Sequence, residues 1–540
     1  MPARRRWCTE PNCAEMIMSA QDILIGIDAG TSVIKAVAFD VNGVQIAVAS
    51  RPNTVMLGDD GAAEQDMDGT WADTAATLRT LGESVPGLAE RTLALAATAQ
   101  GDGTWLIDAQ GRPVGPALLW LDGRSAPHAR ALRASAAGVQ LAERTGTALN
   151  PSMQSSQLLW LREHQPDRLA RAEMALHCKD WLYLCFTGER CTCPCEGVFT
   201  FGDWRRRAYD DETLALLGLA DCRQLLPPLL DGTSRTAPLT AQAAQACGLR
   251  AGTPVALSVM DVPATVLGGG GVAFEGGTMR RVGCSILGST GMHGWVSDDA
   301  ARIVPSAEAG YTMLMPLRGT QARLMSHMAA TLNIDWLLAW LSEAAALAGA
   351  TLPPKAQLLQ RLNEMVLAAI PAQAIYHPYI AENGERGPFV DSDARAQLSG
   401  FSATLGLAGT VRAVFEGICL AARDCYSALG ELPPEIRLTG GAARSPALRQ
   451  LLASVTGRPV RVSHREECGA AGAAICAAVG AGVLGSVRET LPTWVDRWLD
   501  PQTIMPDAQQ TALYDTVFSI YRQMAAQLRP AWHALAAGRC

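Results

Sequence analysis

Near its start the chain reads Ile23-Leu-Ile-Gly-Ile-Asp-Ala-Gly-Thr-Ser-Val-Ile-Lys-Ala-Val-Ala-Phe-Asp40. Two β-branched apolar runs flank a Gly-Thr-Ser turn, and Val41-Asn-Gly43 leads into a third run, so the segment predicts a three-stranded meander. The first turn has the chemistry of a polyphosphate cradle. Gly30 lets backbone approach a ligand, Thr31 and Ser32 offer hydroxyl and amide donors, Lys35 supplies positive charge, and Asp28 can hold a hydrated Mg2+. Gly-Thr-Ser is common in turns, so the segment is also readable as an ordinary hairpin.

Gly288-Ser289-Thr290-Gly291, after another apolar run, is a second loop of the same character, and Gly283-Cys-Ser285 just before it offers a competing register. A third element, Leu438-Thr-Gly440-Gly441-Ala442-Ala-Arg-Ser445-Pro446, runs from a strand through a double glycine into a helix with Pro in its first turn. Two phosphate-type loops, one per domain, can clamp a nucleotide between them, and a flat purine can lie on the glycines of the third.

Strand grammar returns between Leu93 and Leu119, where apolar runs flank Gly101-Asp102-Gly103 and then Ala109-Gln-Gly-Arg112; hairpins are expected there. Gly-Asp-Gly suits a tight turn whatever else it does, because glycine takes positive φ freely and aspartate bonds to its own backbone. Helical patterns at Trp71 to Leu81, Ser156 to Glu163, Ile334 to Ala348 and Leu407 to Leu429 alternate with strands such as Ile436 to Leu438, which gives an α/β class. Tyr514, Val517, Ile520 and Met524 at helical spacing predict a packing helix in the tail.

At 540 residues the chain is too long for one core. The expected division is an N-terminal extension over 1–17, a first domain over 18–268, a second over 269–490 and packing helices over 491–540. The extension lacks the apolar run of a secretory signal, and Met18 opens a plausible start directly before a strand. With 49% hydrophobic and 18% charged residues the chain is globular rather than disordered. A formal charge of −7, with no basic cluster larger than Arg4-Arg5-Arg6 or Arg205-Arg206-Arg207, argues against nucleic acid as a partner. The uncharged run Cys468 to Val487 is dominated by Gly and Ala, which reads as a close-packed buried helix and not as a membrane span. Fifteen scattered cysteines fit reduced thiols in a cytoplasm, and Cys191-Thr-Cys-Pro-Cys195 lacks the fourth ligand of a zinc site.

The order of these loops resembles that of the FGGY carbohydrate kinases, members of the actin-like ATPase group, over roughly residues 22 to 490. Also similar are Trp120-Leu-Asp122-Gly-Arg124, Lys179-Asp-Trp-Leu with Thr187-Gly-Glu189, Glu385-Arg-Gly-Pro388 and Arg412-Ala-Val-Phe-Glu-Gly417. The resemblance implies two actin-like, ribonuclease H-like α/β domains with a cleft between them, and ATP and Mg2+ as cofactors. It implies Gly30, Thr31, Ser32 and Lys35 as the first phosphate loop, Gly288, Ser289 and Thr290 as the second, and Gly440, Gly441, Ala442 and Ser445 at the adenosine. The register at Gly288 is preferred because Gly-Met-His follows it, as in the ribulokinase-like members. Asp261, in Val259-Met-Asp-Val-Pro-Ala264, matches the family's catalytic aspartate, although Pro263 beside it also makes it a natural helix start. The Cys191 to Cys195 segment departs from a loop that is polar and rich in Asp and Asn in relatives.

By the same resemblance Gln100 to Gly103 occupies the sugar-binding slot, with Asp102 where xylulokinases carry histidine and glycerol kinases glutamate, and with Trp120, Asp122 and Asp261 as further substrate residues. A carboxylate accepts hydrogen bonds from two hydroxyls and donates none, which suits a vicinal diol. Gly101 in place of a bulky residue is expected to enlarge the pocket, and Trp105 and Trp120 to wall it. The expected substrate is a small polyol somewhat longer than glycerol, as for the erythritol-kinase branch. A ketopentose kinase of the xylulokinase or ribulokinase kind is the alternative, and a non-sugar actin-like ATPase a more distant one. A cytoplasmic protein is expected, and a homodimer is the assembly kept in view without a residue to carry it.

Overall fold

The computed structural model describes residues 21–538, so the extension expected over 1–17 lies outside the described residues. β1 (Ile23–Ala29), β2 (Val33–Asp40) and β3 (Gln45–Pro52) form the expected meander, with Ile25 opposite Ala38 and Val37 opposite Val48. α1 (Met67–Ser84) packs on it, its first turn capped by the Asp66 carboxylate, which accepts from the Asp68 N–H. β4 (Thr92–Ala99) lies parallel to β1, and β5 (Ala237–Pro238) and β6 (Pro254–Leu257) complete the order β5-β6-β4-β1-β2-β3. The central strands β1 and β4 are buried almost throughout, as near-continuous apolar runs demand of strands covered on both faces.

β7 (Gly283–Leu287), β8 (Gly291–Ser297), β9 (Tyr311–Leu314), β10 (Gln321–His327), β11 (Ile436–Thr439) and β12 (Val460–Val462) make a second sheet in the order β9-β10-β8-β7-β11-β12. In each sheet a hairpin, β1-β2 or β7-β8, is extended on one side by an antiparallel strand, β3 or β10. On the other side stand two parallel strands, β4 and β6 or β11 and β12. The chain therefore builds one half-fold twice, and the two hairpin turns, at 30–32 and 288–290, occupy equivalent corners.

The helices that bear on the site are α2 (Gln154–His164), α3 (Cys178–Thr187), α4 (Pro194–Phe201), α5 (Asp261–Gly268), α6 (Leu332–Leu347), α7 (Leu407–Ala428), α8 (Pro446–Thr456), α9 (Cys468–Gly480), α10 (Val487–Trp494) and α11 (Ala508–Ala537). α9 is the Gly/Ala-rich run, and it is buried along almost its whole length. Although it follows the second sheet in the chain, it packs on β1, β4 and α5 of the first. α9 and α10 thus bridge the two halves of the chain: Ile475 and Trp494 lie in one hydrophobic cluster with Ile25 and Leu95 of the first sheet and with Cys284 and Leu324 of the second.

Two expectations need correction. The segment from Leu93 to Leu119 is not a hairpin about Gly-Asp-Gly: the strand Trp105–Ile107 pairs with Met174–Leu176 instead of β4, so residues 100–104 turn the chain out of one sheet toward another. In α11 the buried stripe is Tyr514, Val517, Phe518, Tyr521 and Ala525, which leaves Ile520 exposed at 43%. That stripe steps by three and four residues, whereas Ile520 and Met524 lie to one side of it. No helix among the described residues is long and apolar enough to cross a membrane. The described cysteines are free and, apart from Cys185, buried.

Candidate active site

β1 delivers Asp28 to its carboxyl-terminal end, and the hairpin turn that follows is closed by Gly30 N–H donating to Val33 O at 3.0 Å. The equivalent turn in the second sheet closes by Gly288 N–H to Thr290 O, also 3.0 Å, while Ser285 of the competing register lies inside β7, fully buried. The carbonyls of Gly288 and Ser289 accept from the backbone of Thr331 and Ala330, which ties this loop to the start of α6. Thr290 stands at the corner shared by the loop and a smaller cavity described below.

β11 is followed by Gly440, where φ is +92° and a Cβ would come within 2.6 Å of Leu287 O, so only glycine makes this turn. Gly441 next to it faces open space. With Ala442, Ser445, Thr331, Asn363 and Phe415 it lines a cleft of about 820 Å³, large enough for a nucleoside. Gly440 itself shapes the turn and is absent from that wall. The Ser445 hydroxyl is consumed within the fold: it accepts from Leu448 N–H as the cap of α8 and contacts Asn363 Oδ1.

The smaller cavity, about 160 Å³, is walled by Asp102, Trp120, Asp261, Thr290, His327 and Arg386, among others. Asp261 opens α5, and its Oδ1 accepts from the Val262 N–H at 2.7 Å. Burial raises its pKa from 3.8 to about 8, and the negative charge of Asp28 adds to the rise. Asp28 is itself raised to about 6 by burial, against the opposing pull of Lys35. Asp102 is raised to about 6 by burial, opposed by His177 and Arg386, and its Oδ1 is buried with no partner. Asp102 and Gly103 both take positive φ, +57° and +78°, so the turn reading of this segment and a binding role hold together. Three carboxylates, Asp28, Asp102 and Asp261, thus lie near enough to act on one another's charge.

Other predicted site residues take different places. Trp120 Nε1 donates to Thr31 Oγ1 at 2.8 Å, Thr31 Oγ1 donates to Gln100 Oε1 at 3.0 Å, and Gln100 Nε2 donates to Gln65 Oε1 at 2.7 Å. Trp120 therefore reaches the cavity, whereas Gln100 stands behind it and braces the wall. Asp122 corrects to an anchor: its carboxylate accepts from the N–H of Ala63 and pairs with Arg124 at 2.6 Å, so no oxygen is left to face a ligand. Lys35 is drawn to Glu467, whose two carboxylate oxygens each lie 2.9 Å from Nζ. Ser32 and Ser289 are exposed at their turns. The space freed at Gly101 is filled by Met260, whose sulfur lies 2.7 Å from where a Cβ would stand, and Trp105 is buried away from the cavity wall.

Arg386, Tyr311, His327 and three methionines (Met292, Met313 and Met328) also line the cavity and were not singled out from sequence. The signal for Arg386 was present in Glu385-Arg-Gly-Pro388; the others sit on β8, β9 and β10 or just beyond, which only the second sheet brings to the site. Arg386 lies over the Trp120 ring at 5.6 Å and donates to Ser152 Oγ at 2.7 Å. Behind Asp102, His177, Asp180 and Glu196 draw together in the way of a metal site. The ammonium of Lys179 already stands 2.8 Å from Glu196 and contacts Asp180, so the set is neutralised from within. The Cys191 to Cys195 segment leads into α4, which carries Glu196, and its Thr192 hydroxyl lies 3.5 Å from Lys179 Nζ.

Residues 23–268 match the N-terminal domain model of the FGGY family of carbohydrate kinases, and residues 283–481 match the C-terminal one. The chain is 46% identical over 520 residues to an erythritol kinase of Brucella abortus, covering 96% of this chain and 98% of that one. It is 30% identical over 513 residues to a xylulose kinase of Escherichia coli, covering 94% and 99%. The crystal structure of a xyloylose kinase from Brucella ovis superposes with a TM-score of 0.80 at 25% identity, covering 95% of this chain and 100% of that one. The chain belongs to the FGGY family of carbohydrate kinases, which use ATP as the phosphoryl donor.

Proposed function

We propose that this kinase transfers the γ-phosphoryl group of ATP to a terminal hydroxyl of a small polyol, erythritol first among them. The observation that carries the reading is the unpartnered Asp102 Oδ1 in a cavity of about 160 Å³ that also holds Asp261 and Thr290. A buried acceptor without a donor is costly, and a diol supplies the missing donors. The 46% identity to an enzyme named erythritol kinase agrees with it.

In this reading Asp261 orients the attacking hydroxyl and takes its proton, a modest task for a base because phosphoryl transfer passes through a loose transition state. Its raised pKa suits the role, since a base near the working pH best combines ionised population with proton affinity. With the N–H groups of Gly30 and Gly288 closing their turns, Thr31 and Ser32 on one side and Ser289 and Thr290 on the other offer backbone amides to the phosphates, and Gly441, Ala442 and Ser445 form the floor for adenosine. Asp28, a hard oxygen donor at the mouth of the first loop, is the residue that would hold Mg2+, which supplies charge neutralisation to the polyphosphate. Residues up to 268 give the polyol cavity its carboxylates and residues from Thr290 to Arg386 most of its remaining wall, residues 269–490 carry most of the nucleotide site, and closure of the cleft excludes water. A cytoplasmic homodimer completes the proposal.

Arg386 favours one second reading. A guanidinium beside Asp102 is the kind of donor a carbonyl oxygen wants, so a ketopentose is the competing substrate. An ADP-release assay over glycerol, erythritol, threitol, ribitol, xylitol, xylulose and ribulose separates the two. The highest kcat/KM is expected with erythritol; a preference for xylulose or ribulose would transfer the assignment to the ketopentose kinases.

A further inference from the structure

β10 ends in His327, whose imidazole is fully buried yet lies on the wall of the cavity shared by Asp102, Asp261 and Thr290. The ring rests against Gly291 at the end of the second phosphate loop, so closely that a Cβ there would stand 1.8 Å from Nε2. Neither of its nitrogens makes a hydrogen bond of normal geometry within the protein. Polar groups buried to this depth are almost always paired, and with the backbone of Ala329 bearing on this ring at least one nitrogen is left for a ligand.

The surroundings fix both the orientation and the charge of this ring. His293 stacks behind it with centroids 5.2 Å apart and planes 28° from parallel. His293 is held in turn by Ser285 Oγ, 2.9 Å from Nδ1, which also meets the Tyr426 hydroxyl at 3.0 Å. Burial lowers the pKa of His327 to about 4, against a smaller upward pull from the backbone of Ala329, and that of His293 falls well below its ordinary value for the same reason. Both rings are neutral at physiological pH.

A neutral imidazole presents one donor and one acceptor, which is the pattern of a hydroxyl. A phosphate oxygen only accepts, and so does a ketone. Met292, Met313 and Met328 beside it offer thioethers, which are weak acceptors and no donors. Asp102 can serve one or two hydroxyls of a short polyol. Of the other polar groups on this wall, Arg386 already donates to Ser152 and the Tyr311 and Ser326 hydroxyls lie 3.4 Å from each other, whereas His327 has no side-chain partner.

Building on the polyol-kinase reading, we propose that His327 is a specificity-determining residue that hydrogen-bonds a secondary hydroxyl of the bound polyol. The test compares erythritol with each enantiomer of butane-1,2,4-triol, which lacks one secondary hydroxyl, in the wild type, His327→Leu and His327→Asn. The wild type is expected to prefer erythritol, and His327→Leu to narrow that kcat/KM ratio at least tenfold while the KM for ATP stays within about twofold. His327→Asn, which keeps a donor and an acceptor on a shorter arm, is expected to fall between, and it carries the test if the leucine variant does not fold. An unchanged ratio, or polyol and ATP constants that rise in step, would make His327 a mere support of the phosphate loop and overturn the proposal. A wild type that phosphorylates erythritol poorly but xylulose well would instead overturn the polyol reading and this inference with it.

Discussion

Gly26 on β1 lies directly beneath Ala470 of α9, with the Ala470 carbonyl oxygen 1.8 Å from where a Cβ on residue 26 would be. Gly268 and Gly472 allow the same intimacy between α5 and α9, each with a carbonyl oxygen 2.1 Å from its missing Cβ. These contacts seat the helix that follows the second sheet on the core of the first, and so carry Asp28 and Asp261 on neighbouring, mutually braced elements.

Gly26→Ala is therefore expected to destabilise the protein by about 1–3 kcal/mol, because the carbonyl it meets belongs to a buried helix that can move only as a body. Urea unfolding followed by circular dichroism measures it. A midpoint equal to the wild type's would mean that α9 shifts freely, and the account of a rigid seat would fail.

Lys35 and Glu467 tie the β1-β2 hairpin, whose turn is the proposed first phosphate loop, to the start of α9. The pair is part exposed, so it adds little to stability, and the ammonium is free to turn to an incoming polyphosphate. Lys35→Met is expected to raise the KM for ATP about 3–10-fold, a loss on the order of 1 kcal/mol, with the polyol KM unchanged. Glu467→Gln, which releases the lysine, should leave the KM for ATP equal or lower. If both variants only lowered the melting temperature and left the ATP KM alone, Lys35 would be a structural tie and nothing more.

The carboxyl of Asp261 makes two expectations. As the base, its replacement in Asp261→Asn should reduce kcat by about 10²–10⁴ with ATP binding kept, read by turnover and by nucleotide titration. As a strained group, it should cost stability. Its pKa is raised on folding from 3.8 to about 8, so the folded form binds the proton more tightly than the unfolded chain does. The associated stability is present in full below about pH 4 and is lost as pH rises through about 8. Asparagine cannot ionise and escapes that loss. The ligand-free variant should therefore melt above the wild type at pH 8 and approach it as pH falls toward 5. A constant difference across that range would show that the carboxyl titrates normally in the fold.

Much of this geometry is legible in the sequence because it rests on local signals. Strand, glycine turn, strand is a short-range pattern, and Ile23 to Asp40 folds as its alternation and turn residues dictate. Ser445-Pro446 likewise announces its helix, and the hydroxyl caps it. The errors arise where long-range packing overrides local grammar. Trp105–Ile107 looks like the return strand of a hairpin but finds its partner at Met174–Leu176, and Asp122 looks like a ligand-facing acid until Arg124 and the Ala63 N–H claim it. Lys35 looks like a free cation because Glu467 is 432 positions away in the chain. His327 carried no signal at all, since a histidine at the end of an apolar strand is ordinarily core, and only the second sheet's placement brings it to the cavity.

The sharpest separation of turn from site is at Asp102. Its φ of +57° is a conformation that asparagine tolerates as well as aspartate, so Asp102→Asn keeps the turn and removes only the charge. Asp102→Ala removes both, and adds about 1–2 kcal/mol of backbone strain. If the carboxylate binds the polyol, losing a charged acceptor costs roughly 1.5–3 kcal/mol, so both variants should raise the polyol KM by about 10–100-fold while the KM for ATP stays near that of the wild type. The alanine variant alone should also melt at a lower temperature. If the residue serves only the turn, asparagine should be silent in kinetics and alanine should weaken polyol and ATP binding together. Steady-state kinetics with both substrates varied, set beside thermal melts of the two variants, distinguishes these patterns because charge and conformation are removed one at a time.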